Sequence, residues 1–86
     1  MEPDGERLQF CRDGFDISGD PYCEDDATEV RVWCSEGALV SVTVNDTGTW
    51  EYAGSDYGAN QDWEIDRKYP GWQEALEAFG YGKLVP

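Results

Sequence analysis

The sequence predicts an α+β fold: a small antiparallel β-sheet, a meander of three to five strands, with one C-terminal α-helix packed on one face. Two patterns predict it. Short segments with alternating apolar residues, separated by turn-forming residues, occupy the first two-thirds of the chain. One stretch with the apolar spacing of a helix follows near the C-terminus. Because 86 residues suffice for one domain, we expect a single domain spanning residues 1–86.

Several segments have the two-residue periodicity of strands. Residues 7–12 alternate polar and apolar side chains, and a turn at Asp13-Gly14 leads to a second arm at 15–17. Segments 28–34, 38–45 and 49–53 are rich in β-branched and aromatic residues and are separated by turn signals. Their inward residues are expected to form the buried face of the meander: Val30, Val32, Val40, Val42, Val44, Trp50 and Tyr52.

One C-terminal segment has the pattern of an amphipathic helix. Its apolar residues recur at positions i, i+3, i+4 and i+7: Trp72, Ala75, Leu76 and Phe79. Residues 69–71 are predicted to start this helix, because proline is favoured in a first turn. Gly80 is predicted to end it as the C′ glycine. The tail, residues 83–86, is predicted to be an edge strand.

The charge balance is the main functional signal. The chain has 19 Asp and Glu residues against 6 Lys and Arg, a net charge of −13. Since self-repulsion on this scale opposes a compact fold, we expect an external reason for it, foremost a basic protein partner. Nucleic acid and anionic membranes would repel such a chain, so we predict direct binding to neither. The 14% aromatic content argues against a disordered acidic tail.

Two features predict a cytoplasmic protein. No stretch approaches the roughly 18 consecutive apolar residues of a transmembrane helix, and residues 1–6 lack the apolar core of a signal peptide. Cys11, Cys23 and Cys34 are then expected to be reduced thiols that act as small hydrophobic residues, with a Cys11–Cys23 disulfide as the alternative. Monomer and dimer remain equally open.

The residue types present do not favour catalysis. The chain has no histidine, which excludes the common nucleophilic triads and histidine-ligated metal sites. It matches no glycine-rich phosphate loop and no EF-hand. Close carboxylate pairs are expected by chance among so many acids, and the chain is short for building a substrate pocket. We therefore expect neither an enzyme nor a cofactor or functional metal site.

Candidate partner-binding residues lie in two acidic groups and a neighbouring loop. The set is Asp20, Glu24, Asp25, Asp26 and Glu29, then Asp56 and Tyr57, then Asp62, Glu64 and Asp66. If residues 63–65 form the short strand that their pattern predicts, the last three carboxylates share one face, spaced about 6.6 Å apart. Trp63 and Ile65 would then anchor that row to the core. Tyr22, Trp33 and Tyr57 are candidate aromatic anchors of an interface.

In charge and size, the chain resembles the small acidic DNA mimics with which phages and mobile elements disarm restriction or CRISPR systems. The resemblance implies an inhibitor that occupies the basic nucleic-acid-binding surface of a target protein. Two alternatives remain open. An immunity or antitoxin protein that neutralises a basic toxin, such as a nuclease, would carry the same charge. So would a small domain adapted to high salt with no specific partner.

Overall fold

The fold combines one five-stranded antiparallel sheet with two α-helices in the described part of the chain, residues 6–85, which confirms the small α+β class. In this computed structural model the elements are β1 (Arg7–Arg12), β2 (Phe15–Asp16), α1 (Cys23–Asp26), β3 (Glu29–Cys34), β4 (Gly37–Val44), β5 (Trp50–Gly54), α2 (Trp72–Ala78) and a 3₁₀ turn (Gly82–Leu84). Residues 1–5 and Pro86, on which parts of the signal-peptide and edge-strand predictions fall, lie outside the described residues.

The strands lie in the order β2-β1-β3-β4-β5, and each neighbouring pair is antiparallel. The predicted meander corresponds to β3, β4 and β5, and the predicted N-terminal hairpin to β1 and β2. The hairpin joins the meander through β1, whose Leu8 and Phe10 lie opposite Val32 and Val30. Because β2 is the outer strand, the chain must cross β1 to enter β3, and α1 lies in that crossing.

The core is a single apolar cluster that contains residues of the sheet and of α2. Val30, Val32, Val40 and Val42 are completely buried, as is Leu76 of α2. Each such side chain contributes about 1.5–3 kcal/mol on leaving water. Aromatic rings surround these aliphatic residues: Phe10, Trp50, Tyr69, Trp72 and Phe79. The alternation along the strands therefore predicted Val30, Val32, Val40 and Val42 correctly, whereas Val44 and Tyr52, also predicted to face inward, are only partly buried.

Helix α2 ends as predicted but starts later than predicted. Gly80 has a φ of 93°, and its N–H donates to the Glu77 carbonyl oxygen at 3.1 Å, while the Tyr81 N–H donates to the Leu76 carbonyl oxygen at 2.8 Å. These two bonds form a Schellman motif, which requires a left-handed residue at C′. At the other end, Tyr69 is not helical. It forms an isolated antiparallel bridge with Trp50, which extends the pairing beyond β5.

Two predicted strands are wrong, and one short helix was not predicted. Residues 63–65 form no strand, because turns at 61–62 and 65–66 bend the segment. Ile65 is 41% exposed and does not anchor the segment, although Trp63 packs against the core. Helix α1 has no counterpart in the sequence prediction, since four residues are too short for a periodic pattern. The described part of the tail is a 3₁₀ turn at Gly82–Leu84 instead of an edge strand.

Substituting Leu76→Asp is expected to unfold the domain. Leu76 is completely buried in the apolar cluster, so the new carboxylate would be buried without a partner, at a cost of roughly 4 kcal/mol or more. We expect the Tm to fall by more than about 15 °C in thermal unfolding followed by circular dichroism. The control is Ala78→Asp, which adds the same charge at an exposed position of α2. Equal Tm values for the two variants would contradict the assignment of Leu76 to the core.

Substituting Gly80→Ala is expected to lower the free energy of unfolding by about 1 kcal/mol, because a Cβ is strained at a φ of 93°. No atom lies within 4 Å of the added methyl group, so the cost is conformational and not steric. Gly19→Ala is the matched control, since Gly19 also has open space around it and no positive φ. Urea denaturation of both variants provides the comparison. A Gly80→Ala variant as stable as Gly19→Ala would rule out the Schellman ending.

Candidate protein-binding surface

The first acidic group surrounds helix α1, whose inner side is fixed to the core. The Cys23 side chain is buried in the apolar cluster, and the Trp72 indole Nε1 donates a hydrogen bond to the Glu24 carbonyl oxygen at 3.2 Å. Ahead of the helix, the Asp20 carboxylate accepts the Tyr22 N–H at 2.9 Å, which forms an Asx turn. With the inner side occupied, four acidic side chains of this group are exposed to solvent: Asp20, Glu24, Asp25 and Asp26.

Arg12 and Thr28 join α1 to the β1–β2 hairpin. The Arg12 guanidinium donates to the Asp26 carbonyl oxygen at 3.4 Å and lies 3.9 Å from the Asp26 carboxylate. The Thr28 N–H donates to the Cys11 carbonyl oxygen at 2.8 Å, and the Thr28 hydroxyl accepts the Asp13 N–H at 3.1 Å. We refer to residues 12–16 and 20–26 together as the hairpin–helix corner. Its acids are therefore held on a connected frame.

Glu29 differs from the other acids of the first group because an arginine neutralises it within the sheet. The Arg31 guanidinium donates to both Glu29 carboxylate oxygens, at 2.9 and 3.2 Å. This hydrogen bonding raises the pKa of Arg31 above its usual value, against the opposing effect of burial. Glu29 thus belongs to an internal ion pair of β3 and adds no net charge to the corner.

Asp56 and Tyr57 fasten the loop after β5 to the sheet. The Asp56 carboxylate accepts the Ala38 N–H at 2.9 Å, and the Asp56 N–H donates to the Ala38 carbonyl oxygen at 3.0 Å. The Tyr57 hydroxyl lies 3.7 Å from the Cys34 Sγ. That hydrogen bond, together with desolvation and the nearby acids Glu36 and Asp56, raises the pKa of Tyr57 to about 12. The contacts give both residues a role in closing the loop.

The second acidic group is exposed but does not form the predicted row. The turns at 61–62 and 65–66 prevent the extended backbone that an alternating row needs. The Asp62 N–H donates to the Asn60 side-chain oxygen at 3.1 Å, and the Glu64 carboxylate lies 3.8 Å from the Arg67 guanidinium. Trp63 is drawn inward, with its ring centroid 5.0 Å from that of Phe79. The three carboxylates therefore do not share one strand face.

The structure does not bring all ten predicted residues together. Cys34, beside Tyr57, and Glu29, beside the corner, are at opposite ends of β3, about 17 Å apart for a strand of this length. The 62–66 segment contacts the core through Trp63 and Tyr52 of β5. Strand β5 is three strand spacings from β1, about 14 Å across the sheet. The corner is thus one of three separate acidic places.

Most of the basic residues already have acidic partners. Arg12, Arg31, Arg67, Lys68 and Lys83 each lie within 4.0 Å of a carboxylate in residues 6–85. Within that same part of the chain, Asp20, Glu24 and Asp25 have no basic partner at this distance. The corner consequently carries carboxylates whose charge is not neutralised locally, while Asp13 and Asp26 lie 4.0 and 3.9 Å from the Arg12 guanidinium.

Two aromatic residues have environments that the sequence did not indicate. Phe15, which the sequence analysis did not select, is 74% exposed on β2. The Asp-Gly turn before it predicted a second arm, and in the structure Phe15 lies opposite Arg12 in that arm. Trp33, a candidate interface anchor, is only partly exposed, and its Nε1 donates to the Gln9 side-chain oxygen at 2.7 Å. It lines an open cavity of about 370 Å³ with Arg7, Leu8, Gln9, Asp16 and Ser18.

Between residues 6 and 85, no three His, Cys, Asp or Glu side chains are grouped as ligands for a metal ion. The three cysteines are free thiols, two of them buried, so the alternative Cys11–Cys23 disulfide is absent. No helix in this part of the chain is long and apolar enough to cross a membrane.

The raised pKa of Tyr57 predicts that its loop detaches at high pH. Because the folded pKa of about 12 lies above the ordinary value of 10.0, the stabilising contact is intact below pH 10 and is lost as the pH rises through 12. The absorbance difference at alkaline pH between the parent protein and Tyr57→Phe should titrate near pH 12. In a Cys34→Ala background the same difference should titrate closer to pH 10. Identical titrations in the two backgrounds would show that the Cys34 contact is not the cause.

Comparison of the chain with protein-family models, curated proteins and solved structures found no match.

Proposed function

We propose that this protein is an acidic inhibitor that binds the basic nucleic-acid-binding surface of a target protein as a DNA mimic, of the anti-restriction or anti-CRISPR type. The observation that carries the proposal is the hairpin–helix corner. There, Asp20, Glu24 and Asp25 are exposed on a folded frame and have no basic partner within residues 6–85. The proposal assigns no catalytic reaction and no cofactor.

Electrostatics explains why such a surface would find a nucleic-acid-binding protein. Grooves that hold nucleic acid present Lys and Arg side chains spaced to neutralise phosphates. Carboxylates at a protein surface satisfy the same donors by charge-assisted hydrogen bonds. A net charge of −13 also raises the rate of encounter with a positive groove and disfavours acidic partners. The mimic therefore competes for the contacts that the target makes with phosphates.

The ordered frame of the corner favours binding, in addition to its charge. Cys23 is buried, Trp72 holds the backbone of Glu24, and Arg12 connects α1 to the hairpin. A surface that is already ordered loses less conformational entropy when it binds than a flexible acidic tail does. We also propose that α2 packs on one face of the sheet and supports α1 on that face. Trp72, at the first position of α2, supplies the contact.

The cellular setting is also part of the proposal. We infer a cytoplasmic protein that meets its target inside a cell, and the three free thiols support a reducing compartment. The proposed partner is one basic protein or effector complex. The proposal involves neither direct nucleic-acid contact nor a membrane.

We expect binding of the target to depend more on the charge of the corner than on the total charge of the protein. The double variant Glu24→Lys with Asp25→Lys is expected to reduce capture of nucleic-acid-binding proteins at least about tenfold, because a repulsive contact replaces an attractive one. The matched control is Asp62→Lys with Asp66→Lys, which makes the same change in net charge at exposed positions elsewhere. It should retain at least about half of the capture. The measurement is retention from bacterial lysate on immobilised protein, elution with duplex DNA, and identification by mass spectrometry.

Three outcomes would contradict the proposal. Equal loss in both double variants would mean that net charge alone causes the capture. Retention of a single toxin-like protein that DNA does not displace would favour an immunity protein. Loss of the circular dichroism spectrum of the free protein at low salt would favour a salt-adapted domain, since unscreened carboxylates would then unfold it.

A further inference from the structure

Two large apolar side chains stand out because the fold does not use them. Phe15 is 74% exposed and Tyr22 is 67% exposed, the highest values among the large apolar residues of the described chain. Neither ring takes part in the aromatic contacts within residues 6–85, which involve Phe10, Tyr52, Trp63, Tyr69, Trp72, Phe79 and Tyr81. An aromatic ring buries about 150–250 Å² when it is covered. Because both rings remain in solvent, neither contributes its burial to the stability of the domain.

Both rings belong to the hairpin–helix corner. Phe15 lies directly opposite Arg12 in the antiparallel β1–β2 pair, so the two side chains project from the same face. The Arg12 guanidinium contacts the Asp26 carbonyl oxygen, which shows that α1 lies on that face. The Asp26 N–H in turn donates to the Tyr22 carbonyl oxygen at 3.0 Å. These contacts connect the two segments that carry the rings, the β1–β2 hairpin and helix α1.

Acidic and aromatic side chains are interspersed at this corner. Along the hairpin, Asp13, Phe15 and Asp16 are all exposed, and Asp20 and Glu24 flank Tyr22 in the same way. A single strand of nucleic acid presents the same two elements, negative phosphates and flat apolar bases. In a duplex the base faces are stacked on one another, and a partner contacts base edges and phosphates instead. Among proteins that bind nucleic acid, those that bind unstacked bases present aromatic or arginine side chains on which flat rings stack.

We propose that the hairpin–helix corner docks into a cationic groove lined with aromatic or arginine side chains, the chemistry of a groove that binds single-stranded nucleic acid. Phe15 and Tyr22 occupy the positions of bases, and the neighbouring carboxylates occupy the positions of phosphates. Charge complementarity selects this occupant, because an apolar partner surface would leave the carboxylates of the corner desolvated and unpaired. Aromatic side chains at the centre of an interface with a charged rim also match the usual anchors of protein recognition. This inference rests on the proposed function and narrows its target class.

The test uses two synthetic peptides with the same number of arginines. One alternates arginine with tyrosine and the other alternates arginine with glycine, so that they differ in rings and not in charge. Isothermal titration calorimetry at low salt should show roughly tenfold tighter binding of the Arg–Tyr peptide to the parent protein. The double variant Phe15→Ala with Tyr22→Ala should bind both peptides equally. Ile65→Ala is the matched control, since Ile65 is also an exposed apolar residue but lies outside the corner.

Each outcome of this titration either supports or contradicts docking of the corner into such a groove. A tenfold preference that disappears in the Phe15 and Tyr22 variant, and persists in the Ile65 variant, supports the inference. Equal binding of both peptides to the parent protein overturns it while leaving the charge-based function intact. A preference that survives Phe15→Ala with Tyr22→Ala also overturns it. Failure of the parent protein to bind either peptide contradicts the proposed function as well, because attraction to a cationic surface is its premise. Both substitutions are at exposed positions, and an unchanged Tm confirms that the variant is folded.

Discussion

The apolar cluster shared by the sheet and α2 has to outweigh the electrostatic self-repulsion of a chain with a net charge of −13. Val30, Val32, Val40 and Val42 supply the sheet side of this cluster, and Ala75 and Leu76 are the completely buried residues of α2. Aromatic rings fill the space around them, which gives a short chain a large buried apolar area. Every acidic surface described above depends on this cluster, because only a folded frame holds like charges near one another.

Some acidic side chains of this protein form ion pairs or hydrogen bonds within the fold, and others do not. Glu29 pairs with Arg31, Asp56 accepts a backbone hydrogen bond from β4, and Glu51 is held by Lys68 and Asn45. The Lys68 and Asn45 contacts also lower the pKa of Glu51, which means that the fold favours its charged form. Such carboxylates contribute to stability and are poor candidates for partner contacts. At the hairpin–helix corner, Asp20 accepts only the Tyr22 N–H of its own turn, whereas Glu24 and Asp25 form no side-chain hydrogen bond or ion pair within residues 6–85. These exposed carboxylates distinguish a candidate interface from a uniformly acidic surface.

The crossing from β2 to β3 gives the corner its position. A direct hairpin from β2 would have left the acidic run in a free loop at the edge of the sheet. Instead the chain passes β1, inserts Cys23 into the core and receives the Trp72 hydrogen bond from α2. Asp20 and Glu24 are thereby brought beside the hairpin that carries Phe15. The proposed interface thus follows from the order of the strands.

Local sequence patterns alone determined most of the strands, the turns between them and the end of α2. The alternating valines of β3 and β4, the turn residues between strands and the C′ glycine at Gly80 are short-range signals, and each predicted its element correctly. The net charge and the lack of histidine can also be read directly from the sequence. The strand, turn and capping signals depend on residues that are close together in the chain, where backbone geometry dominates.

Tertiary structure alone decided where the acids lie. Residues 62–66 alternate like a strand, yet packing of Trp63 on Phe79 bends the segment and leaves Ile65 in solvent. Helix α1 is too short to have a helical period, and it forms because Cys23 is buried and Trp72 caps its backbone from a distant part of the chain. The sequence therefore determined which elements form and how much charge they carry. Contacts between residues far apart in the chain, such as Lys68 with Glu51 and Arg12 with Asp26, decided how the acidic segments are held together and which carboxylates stay exposed.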